Sequence, residues 1–190
     1  MLFIAVNLFL VCVIILGLLV IWVVWPPDSP WAPWWRTKNK EAIATGKLAK
    51  ISSKDLVYEL GSGDANFLVA VCKKFKCKGF GVEIDPVRHL AAKLNIAKNG
   101  VAKEITVKRG NFYDFNYSEA TVVFCYLIPR VLEQLKPKLL KELKKGTRII
   151  SYRYEFEQNP PSHKASEGQA KKLKLVTKDK KSEMNLYKIN

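Results

Sequence analysis

Glu59, Gly61, Gly63 and Asp64 lie within one short stretch, Tyr58-Glu59-Leu60-Gly61-Ser62-Gly63-Asp64-Ala65, and Glu83 follows 24 residues after Glu59, with Asp85 close behind. Glycines in such a turn can take backbone angles closed to other residues and let a ligand lie against the main chain. A helix that starts just beyond them presents unpaired N–H groups. A carboxylate at the end of the next strand stands where a ribose would be gripped. A plain strand-to-helix turn is the bland reading of two glycines alone, and the second carboxylate weighs against it.

Two ligand chemistries compete for this corner. A dinucleotide site wants a third glycine and a helix N-terminus open to a pyrophosphate. Here the sequence runs Gly61-Ser62-Gly63-Asp64-Ala65-Asn66, and Glu59 and Asp64 bracket the turn with negative charge. Those charges repel a pyrophosphate and suit a ligand carrying an ammonium and a sulfonium. S-adenosylmethionine is such a ligand.

The flanking patterns supply the elements that position these groups. Asp55–Leu60 reads as a short buried strand, and Phe67, Leu68, Val71, Cys72 and Phe75 recur at helical spacing over 65–76. Strand two is expected over Gly79–Ile84. A helix follows with Pro86 at its first position, burying Val87, Leu90, Ala91 and Leu94 and stopping at Asn99-Gly100. Strands three, four and five are expected over Ile105–Arg109, Thr121–Leu127 and Thr147–Tyr154. A helix over 130–145 precedes strand five and ends at Gly146, and Pro137 predicts a kink or break in it. Glu155–Gln169 is polar and reads as a loop. Leu173–Val176 and Met184–Ile189 read as an antiparallel hairpin with its turn over Lys178–Ser182. The expected fold class is therefore α/β, an open and mostly parallel sheet with a C-terminal antiparallel hairpin. Ligands of such sheets bind at the carboxyl ends of the strands, where Glu59, Glu83, Asp85, Asn111 and Tyr126 fall.

Residues 1–27 contain no charged side chain, so all 32 Lys and Arg and all 17 Asp and Glu of this +15 chain lie beyond them. Leu2–Trp25 is apolar apart from Asn7; as a helix it would be about 36 Å long, against a hydrocarbon core of about 30 Å. Trp22, Trp25, Trp31, Trp34 and Trp35 suit a membrane interface, and Arg36, Lys38, Lys40, Lys47 and Lys50 follow the span. The reading is a single-pass membrane anchor with the globular part facing the cytoplasm. A cleavable signal peptide fits less well, since no basic residue precedes the run and no small-x-small site follows it. Three parts are expected: 1–27 as the transmembrane helix, 28–50 as a Pro- and Trp-rich linker with a leading helix that Thr37 would cap, and 51–190 as the ligand-binding domain. The four cysteines and two histidines hold no zinc spacing, so no metal is expected and the thiols read as free. Lys164–Lys181 carries seven lysines, a solvated face or an anionic-lipid contact. No nucleic acid is expected, for want of an RNA-binding aromatic signature.

Glu59-x-Gly61-x-Gly63-x-Ala65 resembles motif I of the class I methyltransferases that use S-adenosylmethionine, with Ala65 in place of the usual third glycine. Glu83-Ile84-Asp85-Pro86 resembles the acidic end of their second strand. The layout as a whole is similar to the small membrane-anchored protein-lysine methyltransferases, whose mitochondrial members modify the ATP synthase c-subunit and the adenine nucleotide translocase and which have prokaryotic relatives. The similarity rests on the N-terminal span, on Ala32-Pro33-Trp34 with Thr37, on Pro129-x-x-Leu132 and Lys138-Leu139-Leu140-x-Glu142-Leu143, on Gly146-Thr147-Arg148-Ile149-Ile150-Ser151, and on Leu186-Tyr187. Arg36 stands where that family tends to have proline, and Asn111 where it more often has Asp.

The resemblance implies a Rossmann-like class I methyltransferase fold preceded by one transmembrane helix, with S-adenosyl-L-methionine as cofactor. It implies that Glu59, Gly61, Ser62, Gly63 and Asp64 line the methionine end and that Glu83 takes the ribose hydroxyls. Ile84 and Asp85 would sit beside the adenosine, and Asn111 and Phe112 would flank the adenine. It also implies a protein substrate with a lysine acceptor, membrane-associated. Tyr126 could orient the amine, and Thr37 and Trp34 could wall its channel; a half-buried packing aromatic is the other reading of Tyr126. Two further functions remain open at this level: methylation of a lipid or small membrane-dissolved molecule, and a non-catalytic module that docks on a membrane or a partner.

Overall fold

A computed structural model describes residues 2–24, 35–157, 172–179 and 183–190. The chain divides into an N-terminal part, 1–34, and a compact unit, 35–190. Helix α1 (Leu2–Val24) is the described portion of the first, and none of the side chains of its most apolar window is buried. That window, Phe3–Ile21, has a mean hydropathy of 3.2 and meets the length and composition needed to cross a membrane.

The compact unit is built on a seven-stranded sheet in the order β3-β2-β1-β4-β5-β7-β6. Strands β1 (Leu56–Leu60), β2 (Lys78–Glu83), β3 (Ile105–Arg109), β4 (Val122–Cys125) and β5 (Arg148–Tyr152) are all parallel to their neighbours among themselves. Strand β7 (Met184–Ile189) pairs antiparallel with β5 and with the edge strand β6 (Leu173–Asp179), which carries a register shift between Leu175 and Thr177. The mostly parallel sheet and its antiparallel hairpin are the expected fold. Strand β6 reaches Asp179, so Lys178 and Asp179 belong to the strand and not to the turn. Residues 158–171 and 180–182, which include most of the expected polar loop and of the lysine run, lie outside the described residues.

Each face of the sheet is covered by helix. On one side lie α2 (Asn39–Leu48), α3 (Asn66–Phe75) and α4 (Pro86–Lys98), packed over Val57, Ile105, Val107, Val122, Phe124 and Ile150. Phe67 of α3 stacks on Phe124 with centroids 3.8 Å apart. On the other side α5 (Pro129–Glu142) inserts Leu132, Leu135 and Leu139 against Leu60, Val123, Cys125 and Ile149. Strands covered on both faces must be apolar on both, which is why β4 reads as an unbroken apolar run.

Three local expectations are corrected. Thr37 does not cap α2; the cap position is Lys38, whose N–H donates to the Glu41 carboxylate at 3.0 Å. Of the kink or break expected at Pro137, the break is absent: helix α5 runs through Pro137, which is exposed, so the carbonyl it leaves without a partner can face water. Helix α4 buries Arg88, Ala92 and Ile96 rather than the predicted stripe, while Val87, Leu90 and Leu94 are 42%, 57% and 63% exposed. The rotation is set at its first turn: Asp85 caps the helix through Arg88 N–H at 2.7 Å, and Asp85 is itself buried at the sheet edge.

Candidate functional site

The parallel register aligns the carboxyl ends of β1, β2, β4 and β5. Leu60 pairs with Val82 and Cys125, and Cys125 pairs with Ser151. Gly61, Glu83, Tyr126 and Tyr152 therefore stand in a row along one edge. Asn111 joins from β3, because Glu83 pairs with Arg109 and the Glu83 carbonyl accepts the Gly110 N–H at 3.0 Å.

The turn after β1 is tightly built. The N–H groups of Gly61 and Ser62 both reach the Val82 carbonyl at 2.9 Å, which clamps the turn onto β2. Gly61, Gly63 and Ala65 all have positive φ, at 75°, 53° and 56°. Ala65 is the N-cap of α3 in the left-handed region, a strained place for a residue with a Cβ and the position of the expected third glycine. A Cβ on Gly81 would come within 2.8 Å of Ser62 Oγ, so β2 needs a glycine where the turn presses on it.

Glu83 is preorganised by the same turn. Its carboxylate oxygens accept from Gly63 N–H at 2.7 Å and from Asp85 N–H at 2.9 Å. Burial raises its pKa, and those two backbone N–H groups and Arg88 hold the rise in check. Each oxygen keeps a second lone pair for a hydroxyl donor. Glu59, immediately before the turn, is more extreme. It is buried; burial raises its pKa well above the ordinary range, and Asp64 and Glu83 push it the same way against one bond from the Leu68 N–H. Its Oε2 has no hydrogen-bond partner among the described residues, and neither has Asp85 Oδ2. Buried polar atoms are nearly always paired, so two open carboxyl oxygens at the carboxyl ends of β1 and β2 mark a place for a donor-rich or cationic ligand.

Asp64 and Asn66 tie a second segment to the turn. Arg36 Nε donates to Asp64 Oδ2 at 2.6 Å and its Nη2 to Asn66 Oδ1 at 3.0 Å. Asn66 Nδ2 donates to the Thr37 carbonyl at 2.7 Å and to Asn39 Oδ1 at 2.8 Å. Residues 36–39 are thus strapped across the start of α3, and Thr37 is buried beside the turn. The sequence marks Arg36 only as a basic residue after the apolar span and as a departure from the family's proline; its partners lie about thirty residues away, beyond any local pattern.

The other predicted residues fall around this edge with different degrees of engagement. Ile84 is half-buried between Glu83 and Asp85. Asn111 is exposed and uses Oδ1 to cap the short 3-10 turn Phe112–Asp114 through Tyr113 N–H at 3.1 Å. Phe112 is half-buried, its ring 4.7 Å from that of Tyr113. Tyr126 is half-buried and meets Tyr152 edge-on, with centroids 4.7 Å apart. Burial raises the pKa of both phenols, Arg153 pulling partly the other way, so both stay neutral near pH 7. Trp34 lies outside the described residues. Sequence reasoning missed Tyr152 and Arg153, because the pairing of β4 with β5 that puts Tyr152 beside Tyr126 leaves no mark in local periodicity.

S-adenosylmethionine fits these donors and acceptors: an open buried carboxyl oxygen for its cationic end, a braced carboxylate for two ribose hydroxyls, and left-handed turn residues that clear the main chain. Residues 59–163 match the model of the ANTKMT methyltransferase domain. The chain is 43% identical over 131 residues to a protein-lysine N-methyltransferase of Saccharolobus islandicus (strain REY15A), covering 68% of this chain and 80% of that protein. It is 27% identical over 135 residues to the human lysine N-methyltransferase of the ATP synthase c-subunit, 70% of this chain but 55% of the human protein. Among solved structures it is similar to an RNA methyltransferase from Salinibacter ruber in complex with S-adenosyl-L-homocysteine, with a TM-score of 0.65 and 28% identity over 80% of this chain and 91% of that one. The chain belongs to the ANTKMT methyltransferase domain family and is an S-adenosylmethionine-dependent methyltransferase.

Proposed function

We propose that this enzyme methylates the side-chain amine of lysine in a protein substrate, and that α1 anchors it in a membrane with the globular unit on the cytoplasmic side. The observation that carries the acceptor reading is the Tyr126–Tyr152 pair at the ends of β4 and β5, an aromatic wall on the same edge as Glu59 and Glu83. The 43% identity to a protein-lysine N-methyltransferase supports the same reading. The apolar length of α1 and the five basic residues from Arg36 to Lys50 support the anchor and its orientation. The tryptophans beside the span and the lysines of the C-terminal region suit an anionic lipid surface.

In this reading Glu59, with Gly61, Ser62, Gly63 and Asp64, holds the methionine end. Glu83 accepts from the ribose hydroxyls. Ile84 and Asp85 flank the adenosine, and Asn111 and Phe112 border the adenine. When bound, the cofactor supplies an electrophilic methyl group on a sulfonium. The chain supplies alignment and a dry approach. A free lysine amine is neutral in only about one molecule in 2,500 at pH 7, a handicap of about 4.6 kcal/mol. Tyr126 and Tyr152 line the approach of the amine, and burial further in, toward Gly61, lowers its pKa. Because both phenols stay protonated, they orient the amine and do not take its proton, which leaves to water. Thr37, held by Asn66, borders the approach.

Full-length protein incubated with membranes and methyl-labelled cofactor tests this. Methyllysine in protein, lost with Glu83→Ala and with Gly61→Arg, is the expected result. Label recovered in the lipid extract instead would overturn the lysine assignment, and cytoplasmic protease failing to reach the globular unit would overturn the orientation.

A further inference from the structure

Arg153 is the first residue past β5, and its guanidinium lies among three aromatic rings. Its central carbon is 5.7 Å from the centroid of Tyr126, 5.9 Å from Tyr152 and 6.0 Å from Trp35. Tyr126 and Tyr152 stand at 85° to each other, edge against face, so each ring keeps at least one face clear of the other. Trp35 is 62% exposed, a large ring left open at the surface. Faces of this kind attract cations through the ring quadrupole. The carboxylate of Glu183 lies beside the cluster, and that of Glu41 is close enough to act on the Tyr152 phenol, so the neighbourhood favours positive charge.

We propose that Trp35, Tyr126 and Tyr152 form a receiving station for the alkylammonium of the acceptor, and that Arg153 fills it as an internal stand-in which the incoming cation displaces. The proposal rests on the lysine reading above. Arg153 is suited to give way. Its φ of 68° is unfavourable for a residue with a Cβ. It is held there by its N–H on the Glu183 carbonyl at 2.6 Å and by Nε on Glu183 Oε2 at 2.9 Å. The two side chains of that ion pair are 43% and 53% exposed, and pairs so exposed are weak. Arg153 is also a safe occupant, because a guanidinium does not release its proton to become a nucleophile at ordinary pH. The station recruits the charged amine; the proton is lost only when the amine moves inward toward Gly61.

The opposing arrangement has Arg153 remaining in place and lowering the acceptor pKa by repulsion. The two differ in sign. Acetylated, amidated Gly-Lys-Gly and its norleucine counterpart are titrated into the full-length protein in detergent, with binding read by calorimetry and methyl transfer by mass spectrometry. Arg153→Met is expected to tighten lysine-peptide binding about five-fold or more and to lower KM in step, leaving the norleucine peptide unchanged. Arg153→Gly, which suits the left-handed backbone, should do the same, and Tyr126→Leu should erase the preference for lysine over norleucine. Lysine peptides that are methylated but bind Arg153→Met no more tightly than wild type would overturn the station alone. A pH–rate profile displaced upward in Arg153→Met would do so in favour of the repulsive role. Intact cofactor binding with no transfer to any lysine peptide, in wild type or variants, would overturn both this proposal and the lysine reading.

Discussion

At the scale of single residues, Glu59 meets two opposed demands. A buried carboxyl without a full set of partners is most comfortable protonated, and Asp64 and Glu83 nearby reinforce that. A cationic ligand against it needs the carboxylate. Cofactor binding should therefore release a proton from Glu59 between its bound and free pKa values, and affinity should rise with pH across that interval. Calorimetric titrations in buffers of different ionisation enthalpy check this; Glu59→Gln should abolish the proton release and weaken binding at least ten-fold. Stability should move the other way. The folded pKa of Glu59 lies above its unfolded value, so its contribution to folding is whole below about pH 4.5 and is lost as pH rises toward the folded value. Glu59→Gln should accordingly melt higher than wild type at pH 7 while binding worse, a trade common at sites built for function.

At the scale of elements, α4 separates what periodicity can predict from what it cannot. The spacing of Val87, Leu90 and Leu94 announces a helix, and the helix is there. It does not say which stripe turns inward, because Arg88, Ala92 and Ile96 recur just as regularly. The choice is made by Asp85, whose buried cap fixes the first turn, and by the close approach that Ala92 allows. Leu90→Ala and Leu94→Ala should each change stability by no more than about 0.5 kcal/mol. Ile96→Ala removes a buried side chain and should cost about 2–5 kcal/mol. Denaturant titration of the three variants measures both; equal losses would mean that α4 is rotated. The strands are easier to read. β3 and β7 match their expected bounds, and β4 is recognisable as a doubly covered strand. The corner at Gly61 and Gly63 is legible because its chemistry is local. Arg36 on Asp64 and Arg153 among its rings are not, because each depends on segments that only the folded sheet brings together.

At the scale of the whole molecule, the two ends of the parallel sheet divide the work. The carboxyl ends hold the strained turn and the open carboxyl oxygens. The amino ends are closed by a fully partnered acid, Asp55, which joins the starts of three strands. Its carboxylate accepts from Ser52 N–H at 2.8 Å, Ser52 Oγ at 3.0 Å and Thr121 Oγ1 at 2.7 Å, and it pairs with Arg148. Arg148 in turn donates to the carbonyls of Ala49, at 2.5 Å, and Lys50, at 3.0 Å, tying the end of α2 to β5. Burial alone would raise the Asp55 pKa, but the Thr121 and Ser52 bonds and the Arg148 charge outweigh it and lower the value below 3.8. The sign of the pH dependence follows. Asp55 contributes fully above its unfolded pKa of about 3.9, and the contribution disappears as pH falls through the lower folded value. Thermal melts of the full chain in detergent between pH 2 and 7 should show an acid limb in that window. Asp55→Asn should be less stable at pH 7 by about 1–3 kcal/mol, since it leaves the Arg148 charge half-buried without its carboxylate. It should also flatten the acid limb and leave cofactor affinity within about two-fold of wild type, because the lesion lies at the opposite end of the sheet from Glu59 and Glu83. A ten-fold loss of affinity in Asp55→Asn would mean that the two ends are coupled and that the sheet does not divide stability from function.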